Sequence, residues 1–205
     1  GSYEGGRALF DLASRRPDPI PFYGELGSVN PVFVTRAAAE RGVALVEEYL
    51  DSLTLGAGQF CTNPSILVVP RGLLDLLSDA GATRVPGVFL TAGVASLHTQ
   101  RLASLTAVPG ARVLVAASGS GEVGGFAAPL TLVAFDAESA IRNAAALQVE
   151  CFGPAGIVVE YDTDEHALEF ARCLHGCLVA VVHGQAGEPL AAAFVRLLAD
   201  VAGRV

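Results

Sequence analysis

The chain alternates short apolar runs with longer segments in which apolar residues recur at helical spacing. The near-continuous apolar runs predict strands over residues 32–35, 66–69, 112–117, 130–135, 156–160 and 178–183. The helical period predicts helices over residues 36–55, 72–80, 92–107, 137–147, 164–174 and 190–202. Strands without polar alternation, separated by helices, indicate an α/β fold with an open, mostly parallel sheet and helices on both of its faces.

The first 25 residues follow a different pattern. A short helix is expected up to residue 13, and the proline-rich segment RPDPIP (residues 16–21) follows it. Proline fixes its own backbone and disfavours helix in the residue before it, so this segment predicts an extended linker between two structural units.

Composition and charge exclude several classes of partner. Of the 205 residues, 52% are hydrophobic and 17% charged, which is enough apolar material for a sizeable core. The formal charge is -8, and all 13 basic residues are arginines, so an acidic surface without a basic stripe argues against nucleic acid and anionic membranes. The apolar runs are shorter than the roughly 20 residues that span a bilayer. Four cysteines in a chain of this length do not suggest a disulfide scaffold, and a reducing, cytoplasmic setting is expected.

Two conspicuous motifs have ordinary interpretations. GSGEVG (residues 119–124) matches the dinucleotide fingerprint G-x-G-x-x-G, but FAAP follows and leads directly into a predicted strand. Because the fingerprint must open a helix that receives the pyrophosphate, a glycine-rich loop is the better prediction. Cys173, His175 and Cys177 could form half of a zinc site, yet no second Cys/His pair has a useful spacing. We therefore predict buried, unreactive thiols and no metal.

Cys61 lies in GQFCTNP (residues 58–64), a glycine-rich polar loop between a predicted helix and a predicted strand. A thiol in such a loop can approach an electrophile, but only about 3% of an ordinary cysteine is thiolate at neutral pH, so a base must assist it. Glu25 and Glu150 lie in similar turns before predicted strands and could supply a carboxylate. From the residues alone, ordinary polar loops account for these three turns equally well.

Taken in order, the three segments resemble the aldehyde dehydrogenase superfamily. ELGSVNP (residues 25–31) is similar to its glutamate signature, GQFCT (residues 58–62) to its cysteine signature, and ECFGP (residues 150–154) to its later glutamate-x-phenylalanine-glycine-proline motif. Gly1 and Ser2, followed by Gly6, resemble the Gly-Ser-x-x-x-Gly turn that opens a helix of the cofactor domain. The segments GSVNP and QFCTNP further resemble those of the branch that contains α-ketoglutarate semialdehyde (2,5-dioxovalerate) dehydrogenases.

The resemblance implies an enzyme that oxidises an aldehyde with NAD or NADP. Cys61 would attack the aldehyde carbon, giving a thiohemiacetal and then a thioester, and Glu25 would be the general base. Four residues would contact the cofactor: Ser2 near the pyrophosphate, Leu26, Glu150 at the nicotinamide ribose, and Phe152 near the nicotinamide ring. The resemblance also implies a homo-oligomer for the full-length protein.

The resemblance also implies a division of the chain. Residues 1–25 would be a remnant of the dinucleotide-binding domain with its crossover linker, and residues 26–205 the catalytic domain. With an incomplete cofactor site, the fragment itself is expected to be inactive as a dehydrogenase. Two alternatives stay open: a Cys-dependent hydrolase or acyltransferase that pairs Cys61 with His98 or His183, and a non-catalytic α/β binding module.

Overall fold

A computed structural model describes residues 1–116 and 125–205, so the GSGEVG motif lies outside the described residues. The helices are α1 (Tyr3–Ser14), α2 (Arg36–Ala39), α3 (Val43–Thr54), α4 (Leu74–Ala82), α5 (Ala92–Thr106), α6 (Ala137–Arg142), α7 (Ala144–Leu147), α8 (Asp164–Arg172) and α9 (Pro189–Ala199). The strands are β1 (Pro31–Val34), β2 (Ile66–Pro70), β3 (Gly87–Phe89), β4 (Arg112–Ala116), β5 (Phe126–Ala128), β6 (Thr131–Asp136), β7 (Ala155–Tyr161), β8 (Cys177–Val179), β9 (Val181–His183) and β10 (Ala202–Arg204).

The central sheet has the strand order β4-β6-β7-β2-β1-β9 within residues 1–116 and 125–205. Its neighbours pair in parallel, except that β4 runs antiparallel to β6. Two smaller pairs accompany it, β8 with β10 and β3 with β5. The predicted open, mostly parallel sheet is therefore confirmed.

Each side of this sheet buries its own apolar core. Phe33, Val68 and Val159 pack with α6, α7, α8 and α9 on one face. Val34, Val69 and Val158, which project to the other side, pack with α2, α3 and α4. Because successive side chains of a strand point to opposite faces, strands that are apolar throughout need both layers, as the sequence pattern predicted.

Several predicted elements are divided. The helix predicted over residues 36–55 breaks after α2 and resumes after Gly42, whose φ is +51°. The helix predicted over residues 137–147 breaks at Asn143, whose φ of -112° and ψ of 16° depart from helical values, while its backbone N–H and its side chain both donate to the carbonyl of Ser139.

The last predicted strand and helix also differ from expectation. Residues 178–183 form two strands in different sheets, because Ala180 donates its N–H to the carbonyl of Arg204 between them. The final helix ends at Ala199 rather than at residue 202, and Ala202 begins β10. Among the described residues, no helix combines the length and the apolar character that crossing a bilayer requires.

Candidate active site

The three motifs meet because each directly precedes a strand, and those strands are neighbours. ELGSVNP leads into β1, GQFCTNP into β2, and ECFGP into β7, in a sheet where β7, β2 and β1 lie side by side. Parallel pairing aligns Pro31 with Ile66, and Ile66 with Ile157, so the three turns lie at one edge of the sheet. This is the amino-terminal edge, whereas ligands of open α/β sheets usually bind beyond the carboxyl ends of the strands.

Cys61 lies in a tight turn at this edge. The N–H of Asn63 donates to the carbonyl of Phe60 at 3.1 Å, which places Cys61 and Thr62 at the centre of the turn. The Cys61 side chain is exposed. A thiol held in this way is open to a small electrophile.

The chain approaches this turn through a left-handed segment. Gly56, Ala57 and Gly58 have φ values of 55°, 57° and 66°, a conformation that glycine adopts freely and alanine only at a cost. Gly58 also lies directly against the backbone of the ECFGP turn, where a Cβ atom would be 2.6 Å from the nitrogen of Pro154 and closer still to the carbonyl of Gly153. The close approach of the two motifs therefore depends on the absence of a side chain at Gly58.

Two buried asparagines join the three turns by hydrogen bonds. Asn30 donates from Nδ2 to the carbonyls of Cys61 and Asn63, at 2.9 and 3.0 Å. Asn63 in turn donates from Nδ2 to the carbonyl of Gly153 at 3.0 Å. The sequence analysis missed both side chains, although each stands in an Asn-Pro dipeptide, which is a turn signal that could have drawn attention to them.

Gln59 fixes the other side of the Cys61 loop. Its Nε2 donates to the carbonyls of Gly56 and Val88, both at 3.1 Å, and its Oε1 accepts from the N–H of Leu90 at 2.9 Å. The side chain thereby connects the left-handed segment to β3 and the residue that follows it. The sequence analysis did not predict β3.

Glu150 and Phe152 face an open cleft beside the Cys61 turn. The cleft is small, and its lining includes Ser28, Phe60 and Asn63. Glu150 is half-buried, and burial raises the pKa of its carboxyl group, while the neighbouring backbone N–H of Ser28 works in the opposite direction. The cleft thus combines a partly desolvated carboxylate with aromatic walls.

Glu25, Leu26 and Ser2 gather near the start of α1. The N–H of Gly27 donates to the carbonyl of Gly1 at 2.9 Å, and Leu26 packs directly on Gly6 in the first turn of the helix. Ser2 is the N-cap of α1 and accepts from the N–H of Gly5 at 3.1 Å, while the side chain of Glu25 is exposed.

The side chain of His98 contacts the ECFGP turn. Its Nδ1 lies 3.2 Å from the carbonyl of Phe152 and 3.5 Å from the sulfur of Cys151. Burial lowers the pKa of His98, so the neutral ring can donate its Nδ1–H to that carbonyl. His98 is buried and bonded, and its contacts with Phe152 and Cys151 do not favour the alternative hydrolase that pairs it with Cys61.

The remaining thiols are less accessible than Cys61. Cys151 is buried, and burial raises its pKa to about 12. Cys173 and Cys177 are half-buried rather than fully buried as predicted, and burial raises the pKa of both. In the part of the chain that the structure describes, no group of three or more His, Cys, Asp or Glu side chains could hold a metal ion.

The sequence matches one protein family and is similar to known members of it. Residues 1–199 match the model of the aldehyde dehydrogenase family. The chain is 37% identical to alpha-ketoglutaric semialdehyde dehydrogenase 2 of Azospirillum brasilense and 34% identical to alpha-ketoglutaric semialdehyde dehydrogenase of Acinetobacter baylyi. Each comparison covers 100% of this chain, which spans 40% of the length of either relative.

Solved structures with a similar fold are also known. One is a mutant of aldehyde dehydrogenase C from Pseudomonas syringae in complex with NAD+ and octanal. It superimposes with a TM-score of 0.77 at 21% identity, over 100% of this chain and 43% of that one.

Proposed function

Because the chain belongs to the aldehyde dehydrogenase family, we propose that it forms the thiol-bearing catalytic part of an NAD(P)-dependent enzyme that oxidises an aldehyde to a carboxylate. The observation that carries the proposal is the exposed Cys61 in a turn bonded to both glutamate-bearing motifs. In this assignment residues 1–25 belong to the dinucleotide-binding domain and its crossover linker, and residues 26–205 form the catalytic domain.

Cys61 is the nucleophile of the proposed reaction. Its thiolate attacks the aldehyde carbon, a C–S bond forms, and the carbonyl oxygen becomes negative while the carbon becomes tetrahedral. The backbone N–H of Cys61 donates to this oxygen, and one such donor contributes about 10² to 10³ in rate. The nicotinamide supplies the acceptor for the hydride of that carbon when the cofactor is bound.

Glu25 is the proposed general base. The exposed carboxylate takes the proton of the Cys61 thiol before attack, or the proton of the water that hydrolyses the thioester on Cys61. Hydrolysis breaks the C–S bond, returns the thiol and releases the carboxylate product. An exposed base suits this step because the water and the released proton exchange with solvent.

The residues at the cleft fit a nicotinamide nucleotide. The half-buried carboxylate of Glu150 can accept hydrogen bonds from ribose hydroxyls, and Phe152 offers an aromatic wall for the nicotinamide ring. Ser2 caps the amino terminus of α1, where free N–H groups and the helix dipole favour a pyrophosphate, and Leu26 adds an apolar contact nearby. None of these four residues would hold the adenosine half, so we also propose that the 205-residue chain alone does not reduce NAD(P).

The proposed substrate is a semialdehyde such as α-ketoglutarate semialdehyde. Its support is the identity with two relatives that carry the name alpha-ketoglutaric semialdehyde dehydrogenase. The exposed Phe60 beside the cleft supplies apolar surface for the carbon chain.

The test is a screen of aldehydes against NAD and NADP with the complete gene product. We expect aldehyde-dependent formation of NADH or NADPH that Cys61→Ala abolishes. Cys173→Ala is the matched control, because it removes a half-buried thiol at the end of α8 and should leave the rate within about twofold. A Cys61→Ala protein that keeps the wild-type rate would refute the proposal.

A further inference from the structure

The side-chain amide of Asn30 has all four of its hydrogen-bonding positions occupied. Nδ2 donates to the carbonyls of Cys61 and Asn63, at 2.9 and 3.0 Å. Oδ1 accepts from the hydroxyl of Ser28 at 2.8 Å and from the N–H of Val179 at 3.0 Å. A primary amide has two donor hydrogens and two acceptor lone pairs, so nothing is left for solvent, and the residue is only 3% exposed.

These partners allow the amide only one orientation. The N–H of Val179 can only donate, so it requires the oxygen, and the two carbonyls can only accept, so they require the nitrogen. If the amide were turned by 180°, its NH₂ group would face the N–H of Val179, which is also a donor. Its oxygen would then face the carbonyl oxygens of Cys61 and Asn63, which are also acceptors. Asn30 is therefore held from the β8 side and presents its NH₂ group to the turn.

Asn30 binds two carbonyl groups in the turn that carries Cys61. One belongs to Cys61 itself and the other to Asn63, two residues later. Because the peptide unit is planar, holding the Cys61 carbonyl fixes the plane of the peptide between Cys61 and Thr62. The exposed Cys61 side chain thus stands on backbone that is anchored from the buried side.

We propose that Asn30 is a positioning residue for the nucleophile, an inference that rests on the proposed role of Cys61. It contacts neither aldehyde nor cofactor, and it acts by keeping the turn where Cys61 meets the aldehyde carbon. A displacement of about 1 Å at a reacting group can cost about 100-fold in rate. Asn30→Ala removes both donors from the turn and should therefore lower kcat by about 100-fold while KM for the aldehyde changes little.

The chain offers a matched control in Asn143. Its Nδ2 also donates to two backbone carbonyls, those of Pro109 at 3.2 Å and Ser139 at 2.8 Å. Asn143 lies at the junction of α6 and α7, donates to none of the three turn motifs, and has no part in the proposed chemistry. Asn143→Ala removes the same chemical group and the same number of hydrogen bonds donated to backbone carbonyls.

The experiment measures kcat, KM and thiol labelling for wild type, Asn30→Ala and Asn143→Ala in the complete gene product. We expect a loss of about 100-fold in kcat for Asn30→Ala alone, with the buried Cys151 still protected from iodoacetamide. A kcat for Asn30→Ala within about threefold of wild type would overturn the inference. So would an equal loss in Asn143→Ala, or a loss accompanied by labelling of Cys151, because either result means general destabilisation.

Asn30→Asp provides a second variant if Asn30→Ala folds poorly. The substitution keeps the shape and the acceptor oxygen for Ser28 and Val179 but places an oxygen against the carbonyls of Cys61 and Asn63. It should lose as much kcat as Asn30→Ala, and a wild-type kcat would again overturn the inference. A wild-type protein that oxidises no aldehyde refutes the proposed function instead; the positioning role is then judged on iodoacetamide labelling of Cys61, which should slow severalfold in both Asn30 variants.

Discussion

Gly58→Ala should destabilise the protein by more than the change in backbone conformation alone explains. At φ +66° an alanine costs about 1–2 kcal/mol. Its Cβ would also lie 2.6 Å from the nitrogen of Pro154, and the neighbouring atoms are backbone that no side-chain rotation can move aside, which adds about 1–3 kcal/mol. The sum is about 2–5 kcal/mol, a large part of the roughly 5–15 kcal/mol that stabilises a typical domain.

Gly187→Ala separates these two contributions. Gly187 has φ +84° and nothing within 4 Å of the new Cβ, so only the backbone cost of about 1–2 kcal/mol applies. Urea unfolding followed by circular dichroism should show Gly58→Ala less stable than Gly187→Ala by about 1–3 kcal/mol, with similar slopes. Equal losses in the two variants would refute the close packing of the Cys61 loop against the ECFGP turn.

Three further predictions concern the titrating groups. Iodoacetamide at neutral pH should label Cys61 first, because Cys61 is exposed whereas Cys151 is buried and burial raises the pKa of Cys151 to about 12; equal labelling by peptide mapping would contradict this. The free energy of unfolding should fall as the pH drops through about 6.5, because the unfolded chain protonates His98 more readily than the folded one, whose pKa is lowered by burial. His98→Gln should make the free energy of unfolding depend less on pH in this range. If urea titrations show the same pH dependence in wild type and His98→Gln, the titration of His98 is not its cause. Glu150→Gln should raise KM for NAD(P) by about 10- to 100-fold, the loss of a charge-assisted hydrogen bond, without slowing the labelling of Cys61; an unchanged KM would exclude Glu150 from the cofactor site.

The sequence was sufficient for the central sheet, for the approximate extent of most helices and for the chemistry-bearing turns, because these depend on local patterns, but it did not predict β3, β5 or β10. The apolar runs predicted the strands of the central sheet to within one or two residues at most ends. It was insufficient for partner choice: residues 178–183 are apolar throughout, and nothing in them indicates that Ala180 pairs with the end of the chain while Val181 pairs with β1. Strand order in a sheet is set by long-range contacts that periodicity does not encode.

The same distinction applies to the site. Cys61, Glu25 and Glu150 could be singled out because thiols and carboxylates in glycine-rich turns have recognisable chemistry. Asn30 and Asn63 act only through the backbone of other turns, so their role depends on β1, β2 and β7 being neighbours. With the strand order known, both asparagines could have been placed between the motifs.

The proposed covalent role of Cys61 can be tested by trapping its intermediate. The complete gene product is mixed with aldehyde and NAD(P), quenched in acid during turnover, digested and analysed by mass spectrometry. We expect the acyl group of the substrate on the peptide that contains Cys61, and no acyl group there when the cofactor is omitted. Turnover with an unmodified Cys61 peptide, or with the acyl group on Cys151, Cys173 or Cys177, would contradict it.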